Sequence, residues 1–272
     1  MPITYSNIQV KVSSTGILAQ SASVETTNGL APAQPLGFRG IIDQPPSGPL
    51  TSTFTFDYLL KTDQDPNYLI ASGLRSYISE SPVAVSIGGV AGAAYLNSYS
   101  VTLEPNQLAK ASASYTCFTP LNGNLQNKLL NLDYTGVNPS GFGHSWSTFV
   151  TSESEYTANR TIRFSYQLSA KWTPVYQIGA ANPVSVMFNG GQETFSLVKD
   201  TYVKTTFSGV NVSDYLTGQT STNFDIRSID VVCGNAGNSI NIDMSNSKVI
   251  SSSLSIQNKD VARTNTILTR YF

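Results

Sequence analysis

The stretch YLNSYSVTLEPNQLAKASASYTCF, residues 95–118, decides the fold of this chain. Apolar and polar residues alternate along it up to a short polar turn, and a second alternating run then ends in an aromatic residue. Successive side chains of a β-strand point to opposite faces, so this alternation is typical of strands with one buried face. We therefore predict a β-hairpin over these residues.

The last residues of the chain repeat this pattern. Residues 249–272 read VISSSLSIQNKDVARTNTILTRYF, and a shift of 153 positions (254 − 101 = 153) aligns them with the first stretch. A hairpin that occurs twice predicts a duplicated domain. The aligned pairs are Val101 with Leu254, Leu103 with Ile256, Leu108 with Val261, Ala109 with Ala262, Lys110 with Arg263, Thr116 with Thr269, and Phe118 with Tyr271.

Two further pairs of segments support the duplication. The alternating residues 54–60 match residues 162–168 at an offset of 108 (164 − 56 = 108). The segment SPVAVSIGG at 81–89 matches NPVSVMFNGG at 182–191 at an offset of 101 (182 − 81 = 101). The three pairs keep the same order along the chain, which one gapped duplication explains. A competing register aligns two other segments, GFRG at 37–40 and MFNG at 187–190.

These patterns predict an all-β protein with two tandem antiparallel β-sandwich or barrel-like modules of related fold and little helix. The predicted boundaries are a first β module at 1–120, a connector at 121–154, and a second β module at 155–272 with an insertion near 191–240. The insertion itself contains two strand-like runs, residues 201–207 and 224–232.

The composition favours self-association over binding of nucleic acid. Charged residues make up 12% of the chain, about half of the roughly 25% usual for soluble proteins, while serine, threonine and asparagine supply the polarity. A weakly charged surface tolerates large permanent contacts with identical neighbours, although a monomeric low-charge β protein is the alternative. The formal net charge of −1 argues against a protein that holds DNA. Any DNA near it would be a transient passenger.

Two other stretches bear on location and partners. The start, MPITYSNIQV, lacks the pattern of a secretory signal, and the longest apolar stretch, Val83–Leu96, contains three glycines and is too short to cross a bilayer. We therefore expect no membrane contact. The Pro/Gly-rich residues 28–49 form a long loop or arm, and a loop of this length commonly reaches a neighbour.

No residue pattern predicts catalysis. The single histidine, His144, lies in a Gly/Ser-rich turn, and there is no G-x-S-x-G elbow to supply a nucleophile for it. The glycines of SIGGVAGAAY lack a Walker lysine and the spacing of a dinucleotide fingerprint. We therefore predict no catalytic residue and no cofactor, and expect that the protein is not an enzyme.

Metal binding and disulfide chemistry are equally unsupported. Asp63, Asp65 and Asn67 have the first spacings of a calcium loop, but Tyr68 stands where that loop needs glycine, so an Asp-rich turn is the better interpretation. We predict no metal site. The two cysteines lie in apolar strand-like runs that favour buried free thiols, and the sequence leaves open whether they pair. The cysteines are Cys117 and Cys233.

The two hairpins and the passage GLAPAQPLGFRGIIDQPPSGPLTSTFTFDYLL give the chain a resemblance to virion structural proteins of tailed bacteriophages, of the tail-tube type. The resemblance covers roughly half of the chain, which lacks the long helix that flanks the sandwich in many tube proteins. It implies β-sandwich modules that join laterally into rings and stack into a hollow tube that conducts DNA. The implied partners are copies of the chain and other tail proteins, and the implied location is the virion, after synthesis in the host cytoplasm.

Two other functions stay open. The chain is also compatible with another virion component that uses the same sandwich, such as a neck, baseplate or capsid protein. A carbohydrate-binding or adhesive β-sandwich would share the Ser/Thr/Asn-rich composition and the many tyrosines. That class is typically marked by exposed aromatic residues on loops, whereas most aromatic residues here alternate with polar residues inside strand-like runs.

Overall fold

The computed structural model describes residues 9–13, 15–30, 36, 39, 41, 48–59, 81–104, 107–123, 149–151, 161–180, 182–201, 229–232, 239–242, 248–255 and 262–272. All pairings between strands in this part of the chain are antiparallel, and it contains no helix, which confirms the predicted all-β class. The strands are β1 (Gln9–Val12), β2 (Thr15–Thr27), β3 (Thr51–Leu59), β4 (Val83–Ile87), β5 (Val90–Leu103), β6 (Lys110–Cys117), β7 (Phe149–Thr151), β8 (Thr161–Val175), β9 (Ser185–Thr201), β10 (Ile229–Val232), β11 (Ser239–Ile242), β12 (Lys248–Ser255) and β13 (Ala262–Tyr271).

Six strands of the main sheet close into a barrel. The order runs β1-β2-β3-β6-β5-β4 and returns to β1, because β6 pairs with both β3 and β5 while β4 pairs with both β5 and β1. Closing a sheet on itself gives every strand of the ring a partner on both sides over at least part of its length.

Four more strands extend this sheet sideways from β5, in the order β8-β9-β13-β12. They attach because one edge of β5 is shared by two partners. Residues 90–94 pair with β4, whereas residues 98–103 pair with β8. The chain therefore leaves the barrel at the second half of β5 and continues as an open sheet.

Alternating apolar residues build one continuous core under both parts of the sheet. In β3 the alternation buries Phe54, Phe56 and Tyr58, as the sequence predicted, and in β8 it buries Phe164 and Tyr166. Aromatic rings carry much of the packing, since buried rings contribute large apolar areas. Ring pairs include Phe56 with Tyr115, Tyr99 with Tyr166, and Tyr166 with Phe195.

The two predicted hairpins are confirmed, and their pairing registers are equivalent. In β5–β6, Val101 stands opposite Ala111; in β12–β13, Leu254 stands opposite Thr264, which is the same pair shifted by 153. Both hairpins have an irregularity at the same place, residue 97 in one and residue 250 in the other. A shared bulge position is a specific structural feature of related hairpins.

The equivalence extends to four strands on each side. The N-terminal unit, β2-β3-β6-β5, and the C-terminal unit, β8-β9-β13-β12, have the same strand order and the same chain order. The pair Ala22–Phe56 corresponds to Phe164–Leu197, and an irregularity lies at residue 20 in one unit and residue 162 in the other. The offsets are 142 for β2 and β8 and 141 for β3 and β9.

This pairing differs from two of the alignments that the sequence suggested. The offset of 108 set β3 against β8, but β3 lies between β2 and β6, whereas β8 lies between β5 and β9. Both strands bury aromatic residues, and this common environment explains their similar sequences. The offset of 101 matched a tight turn at Gly88–Gly89, between β4 and β5, with residues 189–190 inside the continuous strand β9.

The predicted module boundaries at 120 and 155 stay a prediction, because a single sheet and a single main core run through both units. The predicted connector lies largely outside the described residues, and its described strand, β7, pairs with β10 in a separate sheet of order β11-β10-β7. The predicted insertion contains the last part of β9 together with β10 and β11.

Candidate self-assembly interface

The sheet face opposite the core is covered by hydroxyl groups. Strand alternation places every second residue there, and serine and threonine occupy most of these positions. Across the two four-stranded units the residues on this face include Ser21, Ser23 and Glu25; Thr53, Thr55 and Asp57; Ser98, Ser100 and Thr102; Lys110, Ser112, Ser114 and Thr116; Arg163, Ser165, Gln167 and Ser169; Gln192, Thr194, Ser196 and Val198; Ser251, Ser253 and Ser255; and Arg263, Asn265, Ile267 and Thr269. We call this surface the hydroxyl face.

Side chains on the hydroxyl face bind one another across neighbouring strands. The Ser196 hydroxyl donates to Oδ1 of Asn265 over 2.9 Å, and Nε2 of Gln192 donates to the Thr269 hydroxyl over 3.1 Å. Such cross-strand pairs satisfy the polar groups locally and stabilise the sheet.

Some of the charges on this face have partners within the chain. Ser21 donates a hydrogen bond of 2.6 Å to the Asp57 carboxylate. Arg163 lies 3.3 Å from Glu104 in a solvent-exposed ion pair. An exposed pair of this kind contributes little to stability, but it does neutralise the local charge.

One edge of the sheet is open at β12. This strand pairs with β13 on one side and has no partner on its other side among the described strands. The side chains of Ile250, Ser251, Ser253 and Ser255 are exposed. An exposed strand edge presents unpaired backbone N–H and C=O groups and is a ready template for another strand.

A second open edge lies on half of β2. Residues 15–18 of this strand pair with β1, and residues 19–27 pair with β3 on the opposite edge. The edge of residues 22–27 that faces away from β3 therefore has no strand partner in the part of the chain that the structure describes. Its residues Ser23, Glu25 and Thr27 are exposed.

Inside the chain the equivalent half-edges are paired. The second half of β5, which corresponds to β12, pairs with β8, which corresponds to β2. Six residue pairs form this internal joint, from Ser98 with Ser169 to Leu103 with Phe164. The chain thus carries one completed joint and two open half-edges of the same two kinds.

Exposed apolar side chains gather on two equivalent connections. The β2–β3 connection carries exposed Leu30, Leu36 and Ile41, and the β8–β9 connection carries exposed Ile178 and Val184. Because β2 corresponds to β8 and β3 to β9, both connections leave their units at the same end. Exposed apolar groups that recur at equivalent places mark a contact surface more strongly than scattered ones do.

A buried ion pair, which the sequence analysis did not identify, lies in the C-terminal unit. Glu193 is 1% exposed, accepts a 2.7 Å hydrogen bond from the Tyr166 hydroxyl, and accepts a 2.6 Å hydrogen bond from Nε of Arg270. Its carboxylate is held by a phenol and a guanidinium within the packed sheet. Such saturation is typical of a structural ion pair and not of a carboxylate that exchanges protons with a substrate.

Most of the residues that the sequence offered for catalysis, metal binding or disulfide formation lie outside the described part. These are His144, the Asp63–Asn67 turn and Cys233. Cys117 is buried with a free thiol, as predicted, and its Sγ lies 3.2 Å from the carbonyl oxygen of Thr119. The described residues contain no cluster of histidine, cysteine, aspartate and glutamate able to hold a metal ion.

A small apolar pocket of about 140 Å³ is lined by Tyr95, Phe118, Pro183 and Val186. It contains no group of convergent polar side chains, so it offers little to orient a substrate. No helix in the described ranges has the length and apolarity needed to cross a membrane.

No family model matches the chain, and none of the curated proteins matches it. The features that bear on function are therefore the sheet edges, the hydroxyl face and the internal joint.

Proposed function

We propose that the protein is a non-enzymatic structural protein that assembles with copies of itself into rings, and that these rings form part of a bacteriophage tail through which DNA passes. The observation that carries the proposal is the coexistence, in the described part of the chain, of two complementary half-edges without a strand partner and a completed joint of the same kind. A chain with one edge of each kind adds copies head to tail, and head-to-tail contacts produce rings or filaments.

The hydroxyl face supports a role as the lining of a conduit. Sequence-independent binding of DNA arises from lysine and arginine that displace counterions from phosphates. This face carries Arg163, which is paired with Glu104, and the exposed Lys110 and Arg263, together with the carboxylates of Glu25 and Asp57, so its described charges are few and of both signs. Serine and threonine hydroxyl groups keep such a surface hydrated without binding the DNA phosphates, so a DNA molecule would slide along it.

The two equivalent apolar connections support stacking of one ring on the next. Contacts between rings need a surface at the rim, and both connections leave the sheet at one end of their units. The β2–β3 connection is the Pro/Gly-rich arm for which the sequence predicted contact with a neighbour. Burial of Leu36 and Ile178, both fully exposed in the single chain, would contribute to this contact.

Electron microscopy and sedimentation of the purified protein test the proposal. We expect rings or tubes that grow in number with concentration, and dispersed monomers at high concentration would overturn it. Position in the virion is a separate question: labelling with antibodies would distinguish the tail from a neck, baseplate or capsid location.

A carbohydrate-binding or adhesive function is less well supported. Most described aromatic residues, among them Tyr58, Tyr99 and Tyr115, are buried in the core, whereas Tyr176, Tyr271 and Phe272 are exposed. A glycan array would separate the two functions, because specific binding to a sugar class by the monomer would favour adhesion.

A further inference from the structure

The internal joint defines the register in which two copies would meet. The hairpin offset of 153 maps β5 onto β12, and the offset of 142 maps β2 onto β8. Applied to the internal pair Ser100–Gln167, these offsets give Ser253 (100 + 153) and Glu25 (167 − 142). The same arithmetic turns Ser98–Ser169 into Ser251 and Thr27.

We infer that residues 251–255 of one copy pair antiparallel with residues 23–27 of the next copy, with Ser253 directly opposite Glu25. This inference rests on the proposed self-assembly and specifies its joint. The register also sets Leu254 opposite Val24, as Val101 stands opposite Tyr166 within the chain. The apolar internal pair Tyr99–Leu168 corresponds instead to the polar pair Ser252 and Thr26, so one apolar pair is kept between copies.

Three observations support this register over a slipped one. Both half-edges are open in the described part of the chain, and their exposed residues are serine, threonine and glutamate. The strand directions agree, because β12 runs like β5 and β2 runs like β8, so the new pair is antiparallel like the internal one. A slip by one residue would place hydroxyl-face residues of one copy on the core side of the next copy's sheet. This exchange of faces is unfavourable wherever the core side is buried.

The joint would make one continuous sheet through successive copies. The order would run from β2-β3-β6-β5 through β8-β9-β13-β12 and on to β2 of the next chain. Every junction between four-stranded units would then have the same pairing, whether it lies within a chain or between chains. The hydroxyl face would be continuous along one side of that sheet.

Disulfide trapping tests the register, because it depends on distances of a few ångström. Residues directly opposite in an antiparallel pair have Cα atoms about 4.5–5.5 Å apart, within the roughly 4.4–6.8 Å that a disulfide needs. Diagonal neighbours on the same face are about 7–8 Å apart, beyond that range. The test variant is Glu25→Cys/Ser253→Cys. The diagonal controls are Ser23→Cys/Ser253→Cys and Thr27→Cys/Ser253→Cys.

Two further controls make each result interpretable. Ser100→Cys/Gln167→Cys is the matched internal pair and should form a disulfide within one chain, which verifies folding and oxidation. The unchanged chain sets the background from its native cysteines. After mild oxidation, a non-reducing gel should show covalent multimers for Glu25→Cys/Ser253→Cys at a level at least about tenfold above either diagonal control.

The outcomes separate the inference from the proposed function. Multimers from the directly opposed pair support both. If microscopy shows rings but the disulfide forms in a diagonal control, the register is wrong and self-assembly is still supported. The same holds if rings are seen and none of the three variants forms the disulfide. Monomers throughout, with the internal disulfide formed, would overturn both.

Discussion

Replacement of Arg270 by methionine is expected to destabilise the C-terminal unit strongly. The Glu193 side chain is 2% exposed and the Arg270 side chain 16% exposed, so the substitution would leave a buried carboxylate without its countercharge. Removal of one partner from a buried ion pair costs about 3–5 kcal/mol. Because the guanidinium retains some access to water, we expect a loss near the lower end, about 3 kcal/mol.

Urea unfolding followed by tryptophan fluorescence measures this loss. Trp172 packs against Tyr95 and Phe188, and its indole N–H donates to the carbonyl oxygen of Leu96 over 2.8 Å, so its emission should report the folded sheet. The matched control removes the charge of Glu193 as well as its partner Arg270.

The double variant Glu193→Gln/Arg270→Met should therefore be less destabilised than Arg270→Met alone, since no unpaired charge stays buried. The amide can still accept the Tyr166 hydrogen bond. A loss below about 1 kcal/mol for Arg270→Met, or a double variant as unstable as the single one, would refute the reasoning.

Three other perturbations have defined outcomes. Ser253→Glu should weaken assembly, and Ser253→Lys should preserve or strengthen it. A like charge opposite Glu25 makes the free energy of association less favourable by about 0.2–1 kcal/mol per joint, and an unlike charge makes it more favourable by a similar amount. Equal sedimentation of the two variants would contradict the register. Burial, with a smaller contribution from Tyr58, raises the pKa of Tyr99 well above its ordinary value. Above about pH 10 the unfolded chain therefore loses a proton that the folded chain keeps, so the contribution of Tyr99 to the free energy of unfolding should be constant below that pH and fall above it. The alkaline decline of the free energy of unfolding should be less steep in Tyr99→Phe, and equal slopes would count against this. Gly123→Ala should cost clearly more than the roughly 1–2 kcal/mol expected for Gly179→Ala in thermal or urea unfolding. Both glycines have a φ of 87°, but a Cβ at Gly123 would collide with the carbonyl of Gly89, whereas the space at Gly179 is open.

Local alternation made the strands and hairpins predictable from the sequence. Period-two patterns reflect which side chains are buried, and they correctly gave β3 and the two hairpins. The bulge in β5 also has a sequence signal. Leu96 and Tyr99 are both buried although they are three positions apart, which a strand accommodates with one extra residue.

Long-range pairing was not predictable in the same way. Alternation reports the environment of a strand and not the identity of its neighbours, so similar aromatic patterns led to a match of β3 with β8. The pairings instead match β8 with β2. The closure of the barrel and the split of β5 between two partners depend on contacts between distant strands.

The buried ion pair had a sequence signal that is clear only once the register is known. Glu193 is two residues before the buried Phe195, and Arg270 is two residues after the buried Leu268. Opposite charges thus occupy core positions of two strands. Only the pairing of β9 with β13 sets them directly opposite each other.

The mass of the protein in solution tests the central claim most directly. Sedimentation velocity over a wide range of concentrations should detect discrete species at multiples of 29.2 kDa. The Ser253→Glu variant should shift that population towards the single chain. A unit mass of 29.2 kDa at every concentration would contradict the claim that copies of this chain complete each other's sheets.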